Sequence, residues 1–203
     1  MKRWTTFAAA LCLGIVFVSP SLGQTKEDFE KGFQKYGTPG KEHKYLQPLA
    51  GRWNVEGKFY MNPGEEPTTS KATSTRKWVF GKRYLVEEYK GEVFGKPFSG
   101  MGMTGYDRAK KKFVGSWVDS MSTAIMPNEG TYDSSTKTFT YRGVLFDPYS
   151  GKKWKSKDVL TVKGKNQHTF KMYRQDLSGG PEFLMMELNY LRAERKKRNK
   201  KNN

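Results

Sequence analysis

Trp117-Val118-Asp119-Ser120-Met121-Ser122-Thr123 sets a carboxylate, an indole and three hydroxyls within seven residues. If the run is a strand end, Trp117 and Asp119 share one face, and an acid enters the same space as an indole. An acid in such a place has to be hydrogen-bonded or neutralised. Two chemistries satisfy that demand. Asp119, Ser120 and Thr123 contact a ligand, or the hydroxyls bond backbone and fix the turn after the strand. Nucleophilic catalysis by Ser120 has no support. It needs a base, His43 and His168 are the only histidines, and no G-x-S-x-G elbow occurs.

The other acids with catalytic chemistry in reach are Glu87-Glu88, Glu129 and Glu187. Inward carboxylates pair across a barrel as acid and base, or form ion pairs with Arg142 or Arg174. Alternation turns one of Glu87 and Glu88 inward, and Glu88 is carried forward as the ligand contact. His168 shares parity with Phe170 and Met172, which places it on an interior face. A single histidine is a thin signal for a haem axial ligand, and two histidines with no cysteine in the mature chain build no ordinary zinc site. No cofactor and no metal are expected.

Gly100, Gly102 and Gly105 match G-x-G-x-x-G. A dinucleotide loop needs a helix after the glycines, so that its N-terminus holds the pyrophosphate. Tyr106 instead continues a strand pattern, so these glycines thin a strand for bending or close packing. Met103, Met172, Trp53, Trp78, Trp117 and Tyr106 complete the candidate set as apolar lining. Methionine suits an adaptable binding surface and an irregular core equally well.

These residues need elements to hold them. Asp107-Arg108-Ala109-Lys110-Lys111 is a polar turn between two strand-like runs, so the glycine stretch belongs to an antiparallel hairpin. Ten such runs are expected: 52–61, 71–80, 83–94, 98–106, 112–119, 124–132, 138–146, 153–162, 169–175 and 182–191. Short strands with regular turn signals mark an all-β sandwich or barrel. Trp53, Val55, Gly57 and Phe59 oppose Asn54, Glu56 and Lys58, and Leu184, Met186, Leu188 and Tyr190 oppose Glu187 and Asn189. One face is therefore interior and the other wet. An all-β, single up-and-down antiparallel barrel of about ten strands closes such a meander most simply, because closure removes the edges. An outer-membrane barrel is excluded by the Lys and Glu at outward positions. A short N-terminal helix precedes the strands, opened by Thr25 as cap and stopped by Gly37 and Pro39, and a second turn covers 42–49.

The chain ends differ from this body. Lys2 and Arg3 followed by the apolar run Phe7–Val18 fit a secretory signal, with Ser21 and Gly23 as small residues before a cut at Gln24. Cys12, the single cysteine, lies in that run after Leu11, which disfavours lipid attachment. The mature chain then has no disulfide and no thiolate. Arg195, Lys196, Lys197, Arg198, Lys200 and Lys201 form a basic tail without apolar residues. The full chain holds 37 Lys and Arg against 20 Asp and Glu, a formal +17. The body between the ends keeps roughly +9, which attracts anionic partners. The tail lacks interleaved aromatics, so no specific nucleic-acid partner is expected. The expected organisation is a signal at 1–23, a helical segment at 24–45, a barrel at 46–192 and a basic tail at 193–203.

Gly51-Arg52-Trp53 after a helical turn resembles the G-x-W opening of lipocalins and related calycin barrels. The resemblance implies that Trp53 closes the barrel base and that Arg192 packs over it as a cation–π contact. Met61-x-Pro63-Gly64-x-x-Pro67, Gly95-Lys96-Pro97-Phe98, Gly105-Tyr106-Asp107, the Trp117–Thr123 run, Glu129-Gly130-Thr131-Tyr132 and Met186-Glu187-Leu188-Asn189-Tyr190 are similar to the secreted bacterial family called domain of unknown function 1579. The match spans 46–192. It implies a lipocalin-like barrel and carries no established activity. The expected function is a periplasmic or secreted barrel that binds a small apolar or amphipathic ligand and does not span a membrane. The alternatives are an envelope enzyme using inward carboxylates and an adhesive protein that meets anionic envelope surfaces through its basic tail.

Overall fold

The computed structural model describes residue 23, residues 25–147 and residues 151–194. The signal segment at 1–23 and the basic tail at 193–203 fall almost entirely outside the described residues. Helix α1, Lys26–Gly32, opens on a capping box: Thr25 Oγ1 accepts from the Asp28 backbone N–H, and Asp28 accepts from the Thr25 N–H. A π-helical turn at Phe33–Gly37 and a 3-10 helix at Lys41–Leu49 follow.

Ten strands come next: β1 Gly51–Phe59, β2 Thr68–Val79, β3 Tyr84–Val93, β4 Lys96–Asp107, β5 Lys112–Asp119, β6 Met126–Asp133, β7 Thr138–Asp147, β8 Lys152–Val162, β9 Gln167–Asp176 and β10 Phe183–Arg192. Each pairs antiparallel with its chain neighbours, and β1 also pairs with β10, so the sheet is a closed barrel. The expected fold class holds, with strand ends shifted by a few residues. The β3–β4 loop shows why the meander turns where it does. Phe94 and Gly95 both have positive φ, 52° and 73°, as a two-residue loop matched to strand twist requires.

The register separates the two faces. From Trp53, the inward row passes to Ser74 on β2 and Tyr89 on β3, then to Gly100 on β4 and Asp119 on β5. β1 starts and β10 ends at one end of the barrel, here called the base. The 3-10 helix plugs it. Leu46 and Leu49 are buried among Leu85, Phe113, Phe139, Leu160 and Val162. The opposite end is the mouth, where inward residues such as Phe98, Trp117, Met126, Met172 and Met186 are only half-buried.

Three sequence expectations need correction. Glu87 faces inward, opposite Arg76, and Glu88 is exposed on the outer face. Met103 is also outward: it pairs with Val86 and Ser116 and is 40% exposed. A bulge in β10 breaks the alternation between Leu184 and Met186. Phe183 therefore aligns with inward Arg174, while Leu184 aligns with Tyr173 on the outer face. The third comes from the residue inserted in β10, and the first two share another cause. Parity is a two-way choice per strand, and only pairing with a neighbour of known parity decides it.

Candidate functional site

The glycine motif resolves into a seat for an aromatic ring. Trp117 on β5 lies opposite Gly102, and its indole occupies the space where side chains at Gly100 and Gly102 would stand. Gly105 faces the other way and accommodates Tyr84. Trp117 Nε1 donates to Asp119 Oδ2 at 3.0 Å, and Asp119 Oδ1 accepts from the Met121 N–H at 2.9 Å. Asp119 thus fixes the indole and the turn after β5 together. Ser120 is exposed and staples β4 to β5: its hydroxyl accepts from the Ser99 N–H at 3.1 Å, and its own N–H donates to the Ser99 carbonyl. Thr123 is exposed in the same mouth loop.

The remaining candidates divide by level. Trp53, Trp78, Tyr106 and His168 lie in the base half. Trp53 is 1% exposed, and its Nε1 donates to the Leu49 carbonyl at 2.9 Å. The Arg192 guanidinium sits 4.2 Å above the Trp53 ring and donates to the Pro48, Ala50 and Lys165 carbonyls. Trp78 donates to Gln47 of the plug, and Tyr106 packs edge-on against Phe113. Only Trp117, Asp119 and Met172 of the expected contacts face the mouth half.

Two polar groups inside the barrel were not assembled from the sequence. The lower one centres on Arg76, which is buried. Its Nη2 pairs with Glu87 at 2.9 Å, and Glu87 also accepts from the Ser74 hydroxyl at 2.6 Å. Its Nη1 lies 3.1 Å from His168 Nε2. Arginine only donates, so Nε2 accepts and the imidazole is neutral with its proton on Nδ1. His168 is stacked on Tyr190 and edge-on to Trp53, both at 4.3 Å. Burial and then the Arg76 and Arg192 charges push its pKa down to about 2. Burial, with Glu87 adding, raises the Tyr89 hydroxyl to about 12.

The upper group lines the mouth half on β8 and β9. The Ser156 hydroxyl donates to Asp158 Oδ1 at 2.9 Å. Burial lifts the Asp158 carboxyl to about 6, against the Ser156 hydrogen bond and the Arg174 charge. Arg174 sits opposite Ser156 and donates through Nε to Met185 Sδ at 3.0 Å. The Tyr141 hydroxyl lies between the two groups, facing both Arg76 and Asp158, and burial raises its pKa. A signal for this wall existed. Ser156 and Asp158 share parity with Leu160 and Val162, which are unmistakably interior.

Among the described residues, five buried side-chain polar atoms have no partner: Ser70 Oγ, Arg76 Nε, Asn128 Oδ1, His168 Nδ1 and Arg174 Nη1. Every one belongs to an inward-facing position by register. Buried polar groups ordinarily find partners, so this concentration marks the interior as a place for polar company. No cluster of three or more metal-binding side chains occurs among the described residues.

A family model described as "Protein of unknown function (DUF1579)" matches residues 38–192. No curated protein matches the chain. Among solved structures, Rv2717c from M. tuberculosis is similar at a TM-score of 0.58 and 15% identity, covering 77% of this chain and 100% of that one. The S-type phycobiliprotein lyase CPES from Guillardia theta is similar at 0.54 and 10% identity, covering 76% and 94%. At these identities the likeness is one of fold.

Proposed function

Because this chain belongs to the DUF1579 family, whose function is unknown, we propose a function from the barrel interior: binding of a small amphipathic ligand in the mouth half. The observation that carries the reading is the set of partnerless polar atoms on inward positions. Ser70, Asn128 and Arg174 of that set lie in the mouth half, beside a half-buried wall of Phe59, Phe98, Trp117, Met126, Met172 and Met186. Apolar lining with a few convergent polar groups is the usual make-up of a small-molecule site. The test is native mass spectrometry of protein purified from its own host, with solvent extraction of the same sample. A co-purifying small molecule is expected. Its absence, with no uptake of a neutral apolar dye, overturns the reading.

The inward acids favour binding over catalysis. Glu87 is held by Arg76 and Ser74, Asp119 by Trp117 and backbone, and Asp158 by Ser156. Each of these three is committed to a different partner, and no two of them share a hydrogen bond.

We extend the proposal to location. The basic start at Lys2 and Arg3, the apolar run Phe7–Val18 and the small residues Ser21 and Gly23 support export and cleavage before Gln24. Sequencing the N-terminus of the protein recovered from its host decides this. A start at Gln24 is expected, and retention of Met1 overturns it. No helix among the described residues is long and apolar enough to cross a membrane.

A further inference from the structure

One inward row crosses four strands at the mouth half. Ser156 on β8 lies between Gly143 on β7 and Arg174 on β9. β6 and β7 pair as far as Glu129 and Arg142, and one step beyond that pair brings Asn128 level with Gly143. Adjacent strands are about 4.8 Å apart, so Asn128 and Arg174 stand roughly 10–14 Å apart across the row. Between them the wall is low. A side-chain carbon at Gly143 would meet no described atom within 4 Å. The two ends of the row carry opposite needs: Asn128 Oδ1 is a buried acceptor without a donor, and Arg174 Nη1 a buried donor without an acceptor. Asp158 lies behind the row, held by Ser156.

We propose that the Asn128–Gly143–Ser156–Arg174 row seats the polar end of the ligand, and that this end is a neutral group that both donates and accepts, such as a carboxamide. The inference rests on the ligand-binding reading above. Its chemistry follows from the donors and acceptors in place. A carboxylate offers only acceptors. It would answer Arg174, leave Asn128 Oδ1 unanswered and add a second negative charge beside Asp158. An ammonium offers only donors and would leave Arg174 Nη1 unanswered. A carboxamide presents a carbonyl to Arg174 and an N–H to Asn128 or Asp158. The charges facing the row are two acids against one base, which disfavours a further anion. Asp158 and Arg174 oppose each other, Asp147 at the end of β7 also faces Arg174, and the Tyr141 hydroxyl faces Asp158.

The test uses the full chain with N-phenyl-1-naphthylamine as a neutral reporter, displaced by decanamide, decanoate or decylammonium. At pH 7.5 decanamide should displace the dye at about tenfold lower concentration than decanoate, the scale of one or two hydrogen bonds to a charged group. Arg174→Met should weaken decanamide by about tenfold while dye binding persists, and should widen the gap, because decanoate then meets Asp158 without a counter-charge. Asp158→Asn should improve decanoate and leave decanamide nearly unchanged. Lowering the pH from 7.5 to 5.5 should do the same in the unsubstituted protein, because the Asp158 carboxyl, raised to about 6, takes up a proton over that range. Decanoate binding as well as decanamide at pH 7.5, or decanamide binding unweakened by Arg174→Met, overturns the headgroup assignment and leaves a ligand-binding barrel standing. Failure of the dye and all three probes to bind overturns both. Thermal melts of each variant separate loss of the site from loss of the fold.

Discussion

Arg76 and Glu87 meet inside the barrel, and removing one partner of such a pair leaves the other charge buried and unanswered. Glu87→Gln should therefore cost about 3 kcal/mol, while Glu88→Gln on the outer face should change stability by less than about 0.5 kcal/mol. Urea unfolding of the two neighbouring variants reads the register directly. His168 and Asp158 set the pH response. The folded-state pKa of His168 is depressed to about 2, so the unfolded chain takes up a proton that the folded one refuses. Stability is lost as pH falls below the ordinary histidine value of about 6.5, by at most about 1.4 kcal/mol per pH unit. Burial lowers the pKa of His43 as well, which acts in the same sense. Asp158 works the other way. Its folded pKa is raised to about 6, so its cost to folding is absent below the ordinary carboxylate value and grows as pH rises through 6. Between about pH 4 and 6 the two effects oppose each other. Asp158→Asn should steepen the fall of the urea midpoint over that interval, and His168→Gln should flatten it. Parallel curves for all three proteins would contradict these assignments.

The β4–β5 hairpin joins a sequence motif to a packing role. Gly100 and Gly102 leave room for the Trp117 ring, and Asp119 holds the indole N–H. A side chain at Gly100 collides with the indole. Gly100→Val should cost about 2–3 kcal/mol, the scale of an overpacked interior. The same substitution in a Trp117→Ala background should cost much less, because the ring it strikes is gone. A double-mutant cycle with a near-zero coupling energy would place the ring elsewhere. The β10 bulge is the other element with a direct consequence. It brings Phe183 to Arg174 and Trp154, and it sets Met185 sulfur against the Arg174 guanidinium. The orientation of the proposed headgroup site thus depends on one inserted residue, which alternation alone does not reveal.

At the scale of the whole molecule, the base is sealed and the mouth is half-wet. Trp53, stacked under Arg192 and bonded to the Leu49 carbonyl, ties first strand, last strand and plug together. Trp53→Ala should lower stability by about 3–5 kcal/mol, and thermal unfolding measures it. The formal +17 predicts a second whole-molecule property. Retention on an anionic matrix should fall steeply with salt, and removal of residues 195–203 should weaken it without changing the melting temperature.

The all-β class, the ten strands and the closing of the meander were legible in the sequence, because alternation and turn residues are local signals and Asp107–Lys111 marks its turn unaided. The G-x-G-x-x-G was recognisable as a non-nucleotide motif for the same reason, since the helix it would need is a local feature too. The interior chemistry was not legible. Glu88 and Met103 had the right residue types on the wrong face, and the Arg76–Glu87–His168 group joins residues up to 92 positions apart. Whether a given charge on a strand enters the barrel depends on its register with the next strand around the ring. That register is decided by the pairing of all ten strands at once, so only the tertiary structure could say which acids are held and which polar atoms are left without partners inside the barrel.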